Sequence, residues 1–188
     1  MDEIVEFRNP RAWETWLAKN HARSPGVWLR LARKASGLAS VTYAEALEIA
    51  LCYGWIDGQK KPESATAWLQ RFVPRTERSI WSRINREKAK ALIEAGRMTP
   101  AGLAAIERAK ANGRWETAYD SHRSATVPSD LQAELDRNPR AAEFFATLDS
   151  ANRYAVLFRI QTARKPETRQ RRIHQFVAML ARSQKLHK

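Results

Sequence analysis

The chain marks the starts of its helices clearly, because a capping residue repeatedly precedes a proline. Asn9-Pro10 and Thr99-Pro100 each place a good N-cap side chain before a residue whose fixed φ suits the first helical position. In the last third of the chain, prolines recur at short intervals: Pro128, Pro139 and Pro166. This punctuation predicts a run of short helices.

Two helices are predicted in the front part. An indole-rich stripe at helical spacing follows Asn9-Pro10, so the first helix turns this face inward. Thr42 and Glu45 have the spacing of a capping box, with a hydroxyl at the N-cap and a carboxylate three residues later. The helix after Thr42 is expected to stop at Gly54, since glycine tolerates the positive φ of a helix end.

Segments with the pattern of a strand lie between these two helices and after the second one. Residues 27–34 alternate apolar and basic side chains toward their end, which is typical of a half-buried strand. Residues 55–58 and 67–73 are predicted to form two short strands joined by a basic loop at residues 59–66. Together these segments predict a small antiparallel sheet.

Helical character returns after Pro74. We expect the next helix to open at Ser79, with its apolar stripe formed by Ile80, Ile84, Ala91 and Leu92. In the helix after Thr99-Pro100, Leu103 and Ile106 are expected to face inward. The last helix has apolar residues at i, i+3, i+4 and i+7, namely Ile173, Phe176, Val177 and Leu180.

The predicted fold class is therefore α+β, with a small sheet and flanking helices in the front half and an all-helical C-terminal region. Residues 114–127 are polar and irregular, so they are the best linker candidate. We expect an α+β region over residues 1–125 and a helical region over residues 126–188.

The positive charge is unevenly placed. The formal net charge is +13, and residues 153–188 hold ten basic residues and one acidic residue. A field of this sign concentrates anions such as nucleic acid, phosphate metabolites or acidic protein surfaces. An equally good explanation is that arginine is spread over solvated helix faces.

Several classes of protein are disfavoured. No apolar run approaches the roughly 20 residues that cross a bilayer, and the acidic N-terminus lacks the apolar stretch of a signal peptide. A single cysteine, Cys52, can form neither an internal disulfide nor a thiolate metal cluster. These features predict a cytoplasmic protein in a reducing compartment.

Familiar catalytic and metal-binding motifs are missing. The sequence has no GxGxxG, Walker, GxSxG or HExxH pattern, and its four histidines are scattered. We therefore expect no metal and no cofactor. An enzyme that uses Asp57, His21 or Cys52 is the least favoured alternative, since no nucleophile, base and orienting group form a recognisable set.

Three segments carry a resemblance to a known family. They are residues 50–58 (ALCYGWIDG), 72–85 (FVPRTERSIWSRIN) and 96–102 (GRMTPAG), supported by residues 168–173 (TRQRRI). Through them the chain resembles the bacterial YdeI/OmpD-associated family, also called bacteriocin-protection proteins, over nearly its whole length. The resemblance implies a small, mainly soluble protein with an α+β front region, an OmpD-associated-type helical C-terminal region at residues 126–188 and a role in envelope or antimicrobial-peptide stress. It transfers no catalytic residues.

A candidate ligand site combines indole, guanidinium and hydroxyl groups. An arginine over an indole face favours planar ligands, and the free N–H groups of a helix starting at Ser79 would attract anions. Asp57 adds a carboxylate at a strand end. The candidate binding residues are Arg71, Arg75, Ser79, Trp81, Ser82, Asn85, Trp55 and Asp57.

Packing offers an alternative explanation for the same residues. Trp55 and Trp68 fit a core better than a site, and arginines often cap or cover aromatic rings. Asp57 before Gly58 fits a turn, and buried Cys52 fits an inert packing role. The cluster at residues 71–85 could equally be an internal interface.

Two functions are carried forward from the sequence. The favoured hypothesis is a non-catalytic protein that binds a small anionic or peptide ligand and serves a stress or resistance role. The alternative is a nucleic-acid-binding protein that uses its basic C-terminal helices. The oligomeric state is left open.

Overall fold

The computed structural model describes residues 3–187. The N-terminus, on which the expectation about a signal peptide rests, begins with Met1 and Asp2, and these two residues lie outside the described ones. The chain divides into two compact units. The first comprises residues 1–81 and 85–116, and the second comprises residues 82–84 and 117–188. The predicted boundary at residue 125 stays a prediction.

Four strands and four helices make up the front half. They follow the order β1 (Ile4–Glu6), α1 (Pro10–Asn20), β2 (Val27–Ala32), α2 (Tyr43–Cys52), β3 (Trp55–Pro62), β4 (Ala67–Pro74), α3 (Arg83–Glu94) and α4 (Pro100–Ala111), with a short 3₁₀ turn at Lys34–Ser36. The strands lie in the order β1-β2-β4-β3. The α+β class is confirmed, but the sheet is mixed, because β1 pairs with β2 in parallel while the other pairs are antiparallel.

Helices α1 and α2 pack against one face of this sheet. Val27, Leu29 and Leu31 of β2 are buried, whereas the residues between them are only half-buried. The Trp13 ring of α1 lies 5.6 Å from that of Phe72 in β4, and its Nε1 donates to Ala46 O of α2 at 3.1 Å. The predicted indole-rich face is therefore the contact between α1, α2 and the sheet.

The strand β3 is longer than predicted. It continues past Gly58 to Pro62, so the turn to β4 begins only at Glu63. A bulge between Asp57 and Lys60 makes this possible, since the buried amide of Gln70 donates to Gly58 O and Gln59 O at 3.0 and 3.1 Å. A buried glutamine amide satisfies the backbone that the bulge leaves unpaired.

Both predicted helix ends around α2 are confirmed. The Thr42 capping box is formed, and Gly54 has the left-handed φ of 73°. The cap of α4 then joins the two helices, because Thr99 Oγ1 donates to Cys52 O at 2.6 Å. Gly102 lies against this carbonyl and has no room for a side chain.

The predicted start of α3 at Ser79 is wrong. The Ser79 hydroxyl accepts a hydrogen bond from Thr76 N at 2.9 Å and closes a turn, and the helix begins at Arg83. Leu92 of the predicted apolar stripe is buried, but Ile80, Ile84 and Ala91 are exposed, and Ala89, which was not predicted, is buried instead. Leu103 of α4 is likewise exposed, although Ile106 faces inward as expected.

The second unit contains four more helices: α5 (Ser129–Asp136), α6 (Pro139–Thr147), α7 (Ser150–Gln161) and α8 (Pro166–Ala181). All four predicted core residues of α8 are buried. The all-helical C-terminal region is confirmed. Within residues 3–187, none of the helices has the length and apolar character that crossing a bilayer requires.

Candidate functional site

Arg75 and Trp81, the centre of the predicted site, form a buried pair. The Arg75 guanidinium carbon lies 3.5 Å from the Trp81 ring centre, and Nη1 donates to Ile80 O at 3.1 Å. The two residues are only 6% and 2% exposed, and Trp81 packs edge-to-face on Trp115 at 4.8 Å. This arrangement is a cation–π contact inside the first unit, which favours the packing explanation for both residues.

Several of the other predicted site residues have contacts of their own. Trp55 is buried, and its Nε1 donates to His21 O at 3.1 Å. Arg71 is half-buried and lies opposite Trp28 in the register of β2 and β4. Asn85 lies in the first turn of α3, which begins at Arg83 directly after Ser82. Ser82 belongs to the second unit, where it forms a β-bridge with Tyr119.

Asp57, at the predicted strand end, is bound by a tyrosine of α2. The Tyr43 hydroxyl donates to Asp57 Oδ2 at 2.8 Å, which joins the first turn of α2 to β3. The Tyr43 ring lies 6.0 Å from Trp68, and Lys60 Nζ lies 4.7 Å from the Trp68 ring centre on the other strand of the hairpin. Two aromatic rings, a cation and a hydrogen-bonded carboxylate therefore share one region of the first unit.

These rings border an open groove of about 500 Å³, which we call the Trp68 groove. Its apolar surface comes from Leu31, Leu38, Val41, Tyr43 and Trp68. Its remaining lining residues are Ala32, Arg33, Lys34, Ser40, Thr42 and Ala44. The groove thus combines an apolar, aromatic surface with two cationic side chains.

The loop beside the groove exposes an apolar side chain. Leu38 is 59% exposed and follows Gly37, whose φ is 69°. The Ser40 hydroxyl accepts from Ala32 N at 3.3 Å and donates to Val41 O at 3.0 Å, which ties this loop to the end of β2. An exposed leucine beside two aromatic rings can cover the apolar part of a ligand.

The acidic side chains near the groove are held in hydrogen bonds, whereas two basic side chains line it. Glu45 is held in the capping box, where the N–H and hydroxyl of Thr42 lower its pKa, and Asp57 accepts from Tyr43. Arg33 donates to Ser64 O at 3.5 Å, and both Arg33 and Lys34 are exposed. The two charged residues that line the groove itself, Arg33 and Lys34, are both cations.

Metal and thiol chemistry receive no support from the geometry. Across residues 3–187, no three histidine, cysteine, aspartate or glutamate side chains come close enough to hold a metal ion. Cys52 is buried, and burial raises the pKa of its thiol, which disfavours the nucleophilic thiolate.

Most of the groove was not predicted from the sequence. Arg33 and Lys34 were taken only as the basic end of a strand, and Trp68 was assigned to the core. One available signal was the capping box at Thr42, which places Tyr43 on the first turn of a helix directly after the Ser40 loop. The contact between Tyr43 and Trp68 joins residues 25 positions apart, which no local pattern indicates.

Fold and groove together define a two-part protein, an α+β unit with an aromatic groove and a helical unit. Residues 5–105, more than half of the 188 residues, match the family described as a domain of unknown function, DUF8412. Residues 124–183 match the family described as bacteriocin-protection, YdeI or OmpD-associated. The chain belongs to the DUF8412 family, and its C-terminal region is a bacteriocin-protection, YdeI or OmpD-associated domain.

The resemblance predicted from the sequence is thus confirmed, but over a shorter range. The three segments at residues 50–58, 72–85 and 96–102 lie within the DUF8412 match, and only residues 168–173 lie within the OmpD-associated match. No curated protein and no solved structure matches the chain.

Proposed function

We propose that this chain is a non-catalytic binding protein whose first unit takes a small anionic or peptide ligand in the Trp68 groove. The observation that carries the proposal is the contact of Tyr43 and Trp68 beside exposed Arg33 and Lys34. Aromatic rings supply a flat apolar surface, and two cations favour a carboxylate, sulfonate or phosphate. A ligand with a flat apolar body and one anionic group fits both requirements, and so does a peptide with an aromatic and an acidic residue.

A stress or resistance role is the second part of the proposal. Its support is the description of the C-terminal domain, which names bacteriocin protection. A binding protein contributes to protection by sequestering a harmful compound or by sensing one. Neither role needs a catalytic group.

Two dyes test the groove directly. Anilinonaphthalene sulfonate carries a flat apolar body and one negative charge, whereas its parent phenylnaphthylamine carries no charge. We expect the double variant Arg33→Ala/Lys34→Ala to weaken sulfonate binding roughly twofold to thirtyfold, since each of the two exposed charge pairs contributes about 0.2–1 kcal/mol. Binding of the uncharged dye should not change, and dye fluorescence measures both affinities.

A substitution of Leu38 tests the contribution of the apolar surface of the Trp68 groove. Leu38→Ser should weaken both dyes equally, because it removes apolar area without changing charge. Arg108→Ala/Lys110→Ala on the outward face of α4 is the matched control, with the same charge change at exposed positions. If this control weakens the sulfonate as much as Arg33→Ala/Lys34→Ala does, general attraction explains the binding and the groove assignment is wrong.

The outward side of α8 supports a second candidate, which is nucleic-acid binding. Arg171, Gln175, Ala178 and Arg182 are exposed and recur at i, i+4, i+7 and i+11, so they share one side of the helix. The two arginines are spaced about 16 Å apart by the helical rise. Together they present a positive edge that can follow a line of phosphates.

Salt dependence tests this candidate. The affinity for a duplex DNA oligonucleotide should fall steeply with salt, and Arg171→Ala/Arg182→Ala should reduce the slope of log K against log salt by about 1.8. Fluorescence anisotropy of labelled DNA measures this slope, with Arg108→Ala/Lys110→Ala as the control. An unchanged slope, or an absence of binding at low salt, rules out this face.

A further inference from the structure

A pocket between α5 and α8 lies within the second unit, whereas the Trp68 groove belongs to the first. Its volume is about 260 Å³, and we call it the α5–α8 pocket. Pockets that hold drug-sized ligands usually measure roughly 300–1,000 Å³. The α5–α8 pocket therefore suits a smaller molecule.

Helical spacing brings polar side chains to this pocket from both helices. Asp130 and Glu134 line it from α5, and Gln170 and His174 line it from α8. Each pair has the i, i+4 spacing that places two side chains on the same side of a helix. Between the two pairs, Ile173 adds apolar surface that is continuous with the core of the unit.

The one arginine of the pocket has no hydrogen-bonding group to spare for an anion. Arg169 donates from Nε and Nη2 to the Asp130 carboxylate at 2.6 and 2.9 Å, and from Nη1 to Ile160 O at 3.0 Å. The guanidinium and the carboxylate thus offset each other's charge. An anionic ligand would have to compete with Asp130 for this guanidinium, so the pocket disfavours anions.

Three hydrogen-bond acceptors remain around the pocket. Glu134 Oε1 accepts from exposed Arg137 at 2.7 Å, which leaves Oε2 of the same carboxylate. Within residues 3–187, the Gln170 amide and the His174 ring are bound by no other group. The amide oxygen and one nitrogen of the neutral imidazole can each accept a hydrogen bond.

A primary ammonium group is the natural complement of this set. It carries three N–H donors, no acceptor and one positive charge, and the charge that is left uncompensated in the pocket is that of Glu134. An alkyl chain on the ammonium can cover Ile173. A metal ion fits less well, because no three histidine, cysteine, aspartate or glutamate side chains of residues 3–187 are placed to hold one.

We propose that the α5–α8 pocket binds a small primary alkylamine in its charged form. Glu134 is the counter-ion, Gln170 and His174 are further acceptors, and Ile173 packs against the alkyl chain. The chain as a whole has a net charge of +13, but at physiological salt the charges beyond about 8 Å are largely screened. The local set of groups therefore decides which ligand binds. The proposal is independent of the Trp68 groove.

Three ligands with the same alkyl chain test the recognition. The probe is n-butylammonium. The n-butyltrimethylammonium ion keeps the charge but has no N–H donor, and n-butanol has no charge. We expect n-butylammonium to shift the backbone amide signals of Gln170 and Ile173 in a saturable way in NMR spectra of the full chain. The other two should bind roughly tenfold more weakly, because charged hydrogen bonds are lost.

Two substitutions should move the affinity in opposite directions. Glu134→Gln removes the charge at nearly constant shape and should weaken n-butylammonium binding roughly tenfold. Gln170→Glu, at an exposed position, adds a carboxylate and should strengthen binding roughly twofold to fivefold. Glu143→Gln on the exposed side of α6 is the matched control, since it makes the same charge change outside the pocket and should leave the affinity unchanged.

Three results would overturn the proposal. Equal binding of n-butyltrimethylammonium would show that charge alone attracts the ligand. Undiminished binding by Glu134→Gln would remove the counter-ion from the pocket. An equal loss in Glu143→Gln would reveal general attraction by acidic side chains. Thermal melts of each variant establish that the second unit is folded, and none of these results bears on the dyes that test the Trp68 groove.

Discussion

The guanidinium of Arg75 lies against the face of the Trp81 ring, with its carbon 3.5 Å from the ring centre. The backbone supports this contact at both ends, because Arg75 N donates to Gly54 O at 2.9 Å and Arg75 Nη1 donates to Ile80 O at 3.1 Å. One arginine therefore links the end of β4, the turn after α2 and the segment before α3. Its position explains why a pattern typical of a ligand site belongs to the interior.

The first prediction concerns this arginine. Arg75→Ala should lower the free energy of unfolding by about 2–4 kcal/mol, since it removes a buried cation–π contact and a buried hydrogen bond and leaves a cavity. Chemical denaturation followed by tryptophan fluorescence measures the loss. Arg78→Ala, at an exposed position three residues later, should change stability by less than about 0.5 kcal/mol. Equal stability of the two variants would show that the buried contact contributes nothing.

The second prediction concerns the crossing of α2 and α4. Alanine usually stabilises a helix relative to glycine by about 1 kcal/mol. At Gly102, however, an added Cβ would overlap Cys52 O and Met98 Sδ, so we expect Gly102→Ala to destabilise the chain by about 1–3 kcal/mol. Differential scanning calorimetry checks the sign.

A matched change at an exposed position isolates the packing effect at Gly102. Ala104→Gly on the same helix should cost about 1 kcal/mol through helix propensity alone. Gly102→Ala and Ala104→Gly are opposite substitutions, and both should therefore lower the free energy of unfolding. A raised melting temperature for Gly102→Ala would contradict the close approach of the two helices.

The third prediction is a pH dependence in the second unit. Arg169 lowers the pKa of Asp130 by donating two hydrogen bonds, at 2.6 and 2.9 Å. The unfolded chain therefore binds this proton at a higher pH than the folded chain, so the stabilisation is complete above about pH 5 and is lost as the pH falls through the folded pKa. We expect the native chain to be more stable than Asp130→Asn near neutral pH, and the difference to shrink as the pH falls through the folded pKa of Asp130.

Urea denaturation at a series of pH values measures this effect. Asp136→Asn on the same helix serves as the control, because that carboxylate accepts from the neutral amide of Gln132 at 2.7 Å. Its stability difference from the native chain should change less with pH. A constant difference for Asp130→Asn across the whole series would contradict the role of Arg169.

Local signals predicted much of the fold. The N-caps at Asn9, Thr42 and Thr99 each form as expected, since a cap bond joins residues only three positions apart. The apolar spacing of α8 was also correct, because one dominant stripe decides which side of a helix is buried. In α3 the predicted stripe was correct only at Leu92, because the helix begins at Arg83 rather than at Ser79.

The candidate site was less predictable. Ser79 has the residue type of an N-cap, but its hydroxyl bonds Thr76 N in a turn, and both uses look alike in a sequence. Asp57 was chosen for its position at a strand end, but its partner Tyr43 comes from another element. A ligand groove depends on which side chains meet, and that depends on how α2 and the hairpin pack.

The amino-acid sequence by itself determined the α+β character, the helix starts and the helical C-terminal region, because caps, prolines and apolar spacing act over a few residues. Only the tertiary structure decided that Arg75 is buried on Trp81, that Tyr43 meets Trp68 beside an open groove, and that Asn152 holds the backbone of His187. In each of these contacts a side chain meets a ring or a backbone group of another element of the fold. Their free energy depends on distance and burial, which exist only once the chain has folded.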